Sequence, residues 1–226
     1  MVRMKRKAVL QTSVHKKRRA NPTREKILDA ASRLFKNKGF LGTSIEDIAS
    51  MVGKNKATIF YYFPDKEHLL YEVLCEAQHR ALKRLQSTMS SSSPEEKLKN
   101  MIKEYLKLNV HDDSFGGIST FELKNLSPKL RESYIPLRDK LEGLFREAVQ
   151  EAMSTSRMKR GDVRVQTRLI LGAMNAVARW FKQSGPLSIE EVGDEMYKLI
   201  FRDEPPKKND DKHSTTEPFI DSSSSL

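Results

Sequence analysis

Residues 43–66, TSIEDIASMVGKNKATIFYYFPDK, contain two short apolar patterns, with a glycine between them and a proline after the second. The first pattern has helical spacing and comprises Ile45, Ile48, Ala49 and Val52. Ile59 and Phe63 form the second, because residues four apart share one face of a helix. Gly53 breaks the first helix, and Asn55 is suited to cap the next. Two short helices joined by a turn of about three residues that contains glycine are typical of a helix-turn-helix unit.

A longer helix is predicted just before this unit, in residues 21–40, NPTREKILDAASRLFKNKGF. Its apolar residues recur at the spacing of one helical face and comprise Ile27, Ala30, Ala31, Leu34 and Phe35. Thr23 is expected to cap its start and Gly39 to end it. Thr43 and Glu46 have the spacing of a capping box for the helix that follows. The first part of the chain is therefore predicted to be a three-helix domain.

Most of the positive charge of the chain lies near its N-terminus. The formal net charge is +11, and residues 1–68 hold 16 Lys+Arg against 6 Asp+Glu, whereas residues 69–226 hold 25 against 24. A positive field on the first third of the chain indicates a polyanionic partner, most simply nucleic acid. No basic amphipathic helix accompanies it, as an anionic membrane surface would require. Residues 1–20 carry eight Lys/Arg and no acid, so this arm either reaches DNA or only keeps the chain soluble.

With Ile59 and Phe63 turned inward, the rest of the third helix forms a surface suited to DNA. A tyrosine hydroxyl can hydrogen-bond a phosphate while its ring packs on a sugar or a thymine methyl. The side chains predicted to enter the major groove are Lys56, Ala57, Thr58 and Tyr61. Those predicted to contact mainly phosphates are Thr43, Asn55, Tyr62 and Lys66. The alternative is a three-helix core that ends in a cluster of rings.

This part of the chain resembles the DNA-binding domain of the TetR family of one-component transcriptional regulators, from about Arg24 to Leu74. The resemblance rests on the stretches ILDAASRLFKNKGF, TSIEDIA and ATIFYYFPDKEHLL. Lys54 stands where the family usually has an aliphatic turn residue, and it could add a phosphate contact. Phe60 replaces a usual tyrosine, which removes one hydroxyl from the surface that would touch the DNA backbone.

The remainder of the chain is also predicted to be helical, so the fold class is all-α. One long helix is expected from Pro128 to Met153, with Pro136 restarting or kinking it. The predicted organisation is a basic disordered arm, a helix-turn-helix domain with its motif at about 44–63, a helical effector-binding and dimerisation domain, and a polar disordered tail. Their boundaries are 1–20, 21–81, 82–202 and 203–226.

Residues 168–185, RLILGAMNAVARWFKQSG, predict a helix that is apolar almost all round. Such a helix must be covered on several sides, and it is too short to cross a membrane. An amphipathic helix follows it, and a symmetric dimer that buries this pair against its twin would provide the cover. The predicted interface residues are Leu171, Gly172, Ala176, Val192 and Met196. Burial of both helices within one chain is the alternative.

The distal segments are similar, more weakly, to the effector domains of TetR-family regulators of fatty-acid and steroid breakdown. That resemblance implies a repressor that a small apolar effector, here an acyl-CoA, releases from a palindromic operator, and it implies no other cofactor. The side chains that could meet its phosphates or line its acyl cavity are Tyr105, Phe121, Arg138, Phe145, Arg146, Arg179 and Trp180. Each could equally be a surface ion pair or a core ring.

The usual catalytic patterns GxSxG, GxxxxGK[ST], GxGxxG and HExxH do not occur, and the five histidines are scattered. An enzyme is therefore not expected, although an all-α enzyme and a constitutive DNA-packaging protein without an effector stay as alternatives. No apolar run approaches the ~20 residues of a membrane span, no secretory signal is evident, and the one cysteine cannot form an internal disulfide. These features favour a cytoplasmic protein.

Overall fold

The structure, a computed structural model, describes residues 21–89, 93–111, 118, 122–155, 157–158 and 160–201. Within these ranges the chain forms eight α-helices, one 3-10 turn and no extended strand, which confirms the predicted all-α class. The helices are α1 (Pro22–Lys38), α2 (Ile45–Met51), α3 (Lys56–Tyr62), α4 (Lys66–Ser87), α5 (Pro94–His111), α6 (Pro128–Met153), α7 (Val163–Trp180) and α8 (Ile189–Ile200), and the 3-10 turn is Glu122–Asn125. The arm at residues 1–20 and the tail at residues 203–226 lie outside the described residues.

The N-cap of the first helix lies two residues before the predicted one. Asn21 is the N-cap, and its side chain accepts the Thr23 amide at 2.9 Å. Pro22 occupies the first helical position, where its missing N–H costs nothing. The expectation that Thr23 caps the helix is therefore wrong. Gly39 ends α1 as predicted, with a φ of 73° that favours glycine.

The capping box of α2 lies one residue further on than the sequence suggested. The Ser44 hydroxyl accepts the Asp47 amide at 3.0 Å, and an Asp47 oxygen accepts the Ser44 amide at 2.9 Å. Hydrogen bonds from Ser44 hold the pKa of the Asp47 carboxyl below its usual value. The box expected at Thr43 and Glu46 is therefore wrong by one position.

Two apolar cores organise the molecule, and α4 contributes to both. Its first half packs with α1–α3, and its second half packs with α5–α8. The N-terminal core also includes three buried side chains from beyond residue 110, namely Ile118, Leu126 and Tyr134. The predicted domain boundary at residues 81–82 stays a prediction, but three distal side chains complete the core of the first part.

Polar contacts reinforce this junction between α4 and the start of α6. Glu67 accepts the Ser127 amide at 2.6 Å, while the Ser127 side chain makes no capping bond of its own. This contact holds the pKa of the Glu67 carboxyl below its usual value. Further along α4, Gln78 accepts a hydrogen bond from the Tyr134 hydroxyl at 3.3 Å.

The long helix α6 continues through Pro136, so of the two expectations the restart does not occur and the kink stays a prediction. Proline lacks the N–H that would otherwise bond the carbonyl four residues earlier.

No helix in the described part of the chain is both long enough and apolar enough to cross a membrane.

Candidate nucleic-acid interface

The short helix α3 buries one face and exposes the other. Ile59 is fully buried and Phe63 is 2% exposed, which confirms the prediction that these two side chains seal α3 against the N-terminal core. Phe60 and Tyr61 are 48% and 64% exposed. Large exposed rings on so short a helix lose favourable burial, so their position indicates a surface that a partner covers.

The turn before α3 is held by its own polar side chains. Asn55 is the N-cap, as predicted, and its side-chain oxygen accepts both the amide and the hydroxyl of Thr58 at 2.9 Å. Gly53 adopts a φ of 64°, a conformation that side chains other than glycine rarely adopt. These two residues fix the angle at which α3 leaves α2.

Cationic side chains flank the exposed rings. Lys54 and Lys56 are both exposed, and the Lys56 ammonium forms an ion pair with Glu46 on α2. Both partners of this pair are more than half exposed, and such pairs contribute little to stability. A phosphate can therefore replace Glu46 as the partner of Lys56 at small cost.

The Tyr61 and Tyr62 rings meet edge to face, with centroids 5.0 Å apart. Tyr62 is partly buried against the N-terminal core, so it supports the more exposed Tyr61. Ala57 is exposed beside Lys56, and its small side chain leaves room for a base edge. The DNA contacts assigned to Lys54, Asn55, Lys56, Ala57, Thr58, Phe60, Tyr61 and Tyr62 stay predictions, and the structure places these side chains on α3 and its turn.

Thr43 is not available for the contact predicted for it. Its side chain is 2% exposed, and its hydroxyl donates to the Gly39 carbonyl at 2.8 Å. The sequence pattern could not separate Thr43 from Ser44, the exposed neighbour that caps α2. The assignment of the Thr43 side chain to a phosphate is therefore corrected.

Lys66 is also committed elsewhere. Its ammonium donates to the Phe40 carbonyl at 2.9 Å and to the Thr43 carbonyl at 2.8 Å, and it lies 4.3 Å from the Phe40 ring centroid. An ammonium has three donors, so one is left for any phosphate. The main role that the structure gives Lys66 is to clamp the loop between α1 and α2 onto the start of α4.

Comparison with known proteins shows to which family a chain with this surface belongs. The family described as tetracyclin repressor-like, C-terminal domain, matches residues 91–203, which is half of the chain. Bacterial regulatory proteins of the tetR family match residues 27–73, the part that contains α1–α3. The chain belongs to the TetR family. It is a DNA-binding transcriptional regulator, and α2 and α3 form its helix-turn-helix.

Individual relatives align along most of this TetR-family chain. The transcriptional repressor KstR2 of Mycolicibacterium smegmatis is 27% identical over 180 residues, covering 78% of this chain and 88% of the relative. The regulator PfmR of Thermus thermophilus is 30% identical, covers 78% of this chain and 97% of its own, and superposes with a TM-score of 0.70. The regulator AibR is 24% identical with a TM-score of 0.73, over 79% of this chain and 98% of its own, which supports the fold. These relatives are regulators and not enzymes.

In the distal domain of this TetR-family protein, two of the predicted effector residues are core side chains. The Tyr105 and Phe145 rings pack edge to face at 5.5 Å, and the Tyr105 hydroxyl donates to Asn175 at 2.9 Å. Burial raises the pKa of Tyr105 to about 12, so this hydroxyl stays protonated at neutral pH. Tyr105 and Phe145 are therefore interior side chains of the distal core.

The other predicted effector residues do not join them. Arg138 is partly exposed and donates to Asp139 at 3.1 Å. Arg179 and Trp180 lie at the exposed C-terminal end of α7, and Trp180 is 58% exposed. Phe121 lies outside the described residues. The exposed position of Trp180 does not agree with its predicted place in an acyl cavity. The predicted contact of Arg179 with effector phosphates stays a prediction.

A cleft of about 370 Å³ lies between α1, α4 and α6, at the junction of the two cores. Its lining mixes both signs of charge and comprises Arg24, Tyr71, Glu72, Cys75, Glu76, His79, Ser133, Pro136, Leu137 and Lys140. The Arg24 guanidinium pairs with Glu72 at 2.8 Å across one side of it. None of the described residues that were predicted to bind the effector lines this cleft.

Among the described residues no group of three or more His, Cys, Asp or Glu side chains could hold a metal ion.

The predicted dimer residues divide into two groups. Gly172 and Ala176 are exposed on α7, as an interface requires. Val192 is 6% exposed, and Leu171 and Met196 pack against the same distal core. The assignment of Val192 to an interface is corrected, because Val192 is buried in its own chain. Leu171 and Met196 are partly exposed, so their assignment to the interface stays a prediction.

Sequence reasoning did not assign Val165 and Leu169 to the interface, although both are exposed apolar side chains of α7. Val165, Leu169 and Ala173 continue the exposed face of α7, with Val165 and Leu169 exposed by 55% and 67%. Leu199 on α8 is 87% exposed. Their spacing from Gly172 and Ala176 was a usable signal, since residues 165, 169, 172, 173 and 176 share one helical face.

Proposed function

We propose that this TetR-family regulator acts as a homodimeric repressor that binds a palindromic operator and leaves it when an acyl-CoA binds its distal domain. The observation that carries the DNA part is the exposed surface of α3, where Phe60 and Tyr61 stand beside Lys54 and Lys56. The cytoplasm of a bacterium, which holds the chromosome, is the proposed place of action. No catalytic role and no cofactor other than the effector are proposed.

The proposed operator contacts follow from the orientation of α3. Lys56, Ala57 and Tyr61 are on the exposed side, where they can enter a major groove. In a symmetric dimer the two α3 helices would address half-sites roughly 34–36 Å apart, one turn of the double helix. A palindrome is the DNA counterpart of such a dimer, because both carry two-fold symmetry.

The proposed dimer is supported by one continuous apolar face on α7. Val165, Leu169, Ala173 and Ala176 lie along it, together with Gly172. A Cβ atom added at Gly172 would meet no other part of its own protomer within 4 Å, so the space directly above this glycine is open. Small residues in the middle of a helical face allow a second helix to approach closely. A second copy of the chain supplies such a helix.

An acyl-CoA effector is favoured by the kind of relatives that share the fold. AibR has been solved with isovaleryl coenzyme A and operator DNA, and a fatty acid metabolism regulator of Bacillus subtilis is 21% identical over 182 residues. In this chain Tyr105 and Phe145 provide apolar surface inside the distal domain, and the Tyr105 hydroxyl with Asn175 provides polar groups there. These are the apolar and polar groups that an acyl-CoA entering the distal domain would meet.

The test uses operator DNA selected from a random library and the full-length protein. Free coenzyme A and acyl-CoAs of graded chain length are titrated against the complex while operator affinity is measured. A coupling free energy of about 1–3 kcal/mol would lower operator affinity roughly 5- to 150-fold. Linkage requires that operator DNA weaken acyl-CoA binding by the same factor. If no acyl-CoA changes either operator affinity or Tm, the effector is of another class.

A footprint confined to one palindrome supports a specific regulator. A constitutive packaging protein would instead protect DNA of any sequence with similar affinity. Measuring the affinity for operator and for scrambled DNA at several salt concentrations separates the two, because only the specific complex keeps an advantage as salt weakens the phosphate contacts.

A further inference from the structure

We infer that Trp180 of each protomer inserts into a groove on the partner, between the partner's α7 and α8, and that this pair of contacts anchors the dimer. The inference rests on the proposed homodimer and adds the residue that holds it together. Trp180 is the one tryptophan of the chain and is 58% exposed at the end of α7. A tryptophan left in water forfeits a large favourable burial, and tryptophan is enriched among the side chains that dominate interfaces.

The groove lies at the other end of the same exposed face. It measures about 200 Å³, and its lining comprises Met158, Gln166, Leu169, Ile170, Leu199 and Ile200. Sites for small-molecule ligands usually measure about 300–1,000 Å³, so a groove of this size is better suited to one large side chain. Leu169 and Leu199, at 67% and 87% exposed, form its open edge. The described part of one protomer leaves these two leucines largely uncovered.

Helix geometry matches the ring to the groove. Leu169 and Trp180 are roughly 16 Å apart along α7 at 1.5 Å per residue, and both are on the exposed face. Ala173 and Ala176 lie between them at equal distances from the midpoint. If two antiparallel α7 helices cross at this midpoint, Ala173 faces Ala176 of the partner subunit and Leu169 faces Trp180 of the partner subunit.

Symmetry then makes the contact twice. In a two-fold dimer, any contact of one residue with a second residue of the partner is repeated with the roles exchanged. Two rings would enter two grooves, one on each side of the small residues where the helices cross. A parallel crossing would instead bring the two Trp180 rings together and leave both grooves empty.

The test uses Trp180 as its own reporter, because its fluorescence is the indole signal of the whole protein. Acrylamide quenching of Trp180 is measured for the full-length wild type and for Leu169→Glu, with sedimentation in parallel. We expect a wild-type dimer in which Trp180 is protected and emits at shorter wavelength. We expect a folded Leu169→Glu monomer in which Trp180 is quenched freely.

The second measurement compares dimer dissociation constants. Trp180→Ala and Leu199→Ala should each weaken the dimer, Trp180→Ala by roughly 30-fold or more, and the double variant should lose less than the two single losses combined. Met51→Ala, at a residue 52% exposed on α2, is the matched control and should leave the dimer unchanged.

The outcomes separate this inference from the proposed dimer. A wild-type dimer in which Trp180 is quenched as freely as in the monomer would disprove the anchor and leave the homodimer standing. Additive losses for Trp180→Ala and Leu199→Ala would disprove the contact between the two side chains. A wild type that sediments as a monomer at every concentration would overturn the homodimer itself.

Discussion

The surface of α3 and the surface of α7 both expose large side chains, yet their chemistry differs. Phe60 and Tyr61 on α3 are accompanied by lysines and hydroxyl groups. Leu169 and Trp180 on α7 are accompanied by glycine and alanine. Aromatic rings beside cations suit a partner that offers phosphates and base edges. Large apolar side chains beside small apolar residues suit a close-packed helix. Exposure indicates that a partner exists, and the neighbouring side chains indicate which kind.

The largest effect is expected at α7. Leu169→Glu would bury an unpaired charge in the dimer and should give a monomer. Because linked half-site contacts raise avidity about 10²- to 10⁴-fold, operator affinity should fall by a factor in that range. Sedimentation and operator titration check it, with Gln150→Glu as the control that adds the same charge at an exposed position of α6. A dimeric Leu169→Glu protein would place the interface on another face.

Gly172→Leu tests the same surface from the opposite direction. The new Cβ atom has open space in its own protomer, and leucine has a higher helix propensity than glycine, so the monomer should keep or gain stability. It should nevertheless block the close approach of a second α7 helix. Loss of the dimer with an unchanged or higher Tm is the expected pattern. A lower Tm without loss of the dimer would contradict it.

The next effect is expected on the α3 surface. Tyr61→Ala should reduce the preference for operator over scrambled DNA by roughly 5- to 150-fold, the range of about 1–3 kcal/mol for base-edge readout. It should not change the oligomeric state, unlike the α7 variants. Fluorescence anisotropy with both DNAs at fixed salt provides the measurement. Equal losses on the two DNAs would show that Tyr61 contacts only the backbone.

Two lysines sharpen the description of the α3 surface. Lys54→Ala should lower affinity for all DNA and flatten the salt dependence by about one unit, as expected for a phosphate contact. Lys66→Ala should instead lower stability by about 1–3 kcal/mol, because the loop carbonyls of Phe40 and Thr43 lose a charged donor. Thermal melts and salt titrations of both variants distinguish the roles. A salt slope reduced by Lys66→Ala at unchanged Tm would restore Lys66 to the DNA surface.

The smallest effect is expected at the link between the two parts of the molecule. The pKa of Glu67 is lowered below its ordinary value of 4.5 by the hydrogen bond from Ser127. Its contribution to stability is therefore complete above that ordinary value and is lost as pH falls through the lowered one. Glu67→Gln should remove this part of the acid sensitivity, which urea titrations between neutral pH and about pH 3 can measure. Identical pH profiles for both proteins would show that the contact contributes nothing.

Local signals predicted the helix-turn-helix well. The spacing of apolar residues placed α1–α3, and Gly39, Gly53 and Asn55 marked their limits. The errors there concerned the N-caps, by two residues at Thr23 and by one residue at Thr43. In both cases a second capping residue, Asn21 or Ser44, lies next to or near the expected one, and periodicity fixes the phase of a helix more firmly than its first residue.

The distal domain was harder to predict for a physical reason. A helix that is apolar all round has no polar face to show which side is buried, so Leu171 could not be separated from Leu169 by pattern alone. Val192 on the amphipathic α8 was misassigned for another reason, because the apolar face of α8 packs on the distal core of its own chain. The docking of Leu126 and Tyr134 onto the N-terminal core depends on contacts between distant parts of the sequence, and such contacts leave no local signature.

That docking limits how freely the DNA-binding part can be exchanged between regulators. Ile118, Leu126 and Tyr134 fill the N-terminal core although they come from the other side of any boundary near residue 82. A hybrid protein joined there would combine the DNA-binding part of another regulator with three side chains that fit the N-terminal core of this protein. Its core would then contain gaps or clashes. Functional hybrids would need matching replacements at these three positions. The DNA-binding part and the distal domain must therefore be exchanged with their shared contacts.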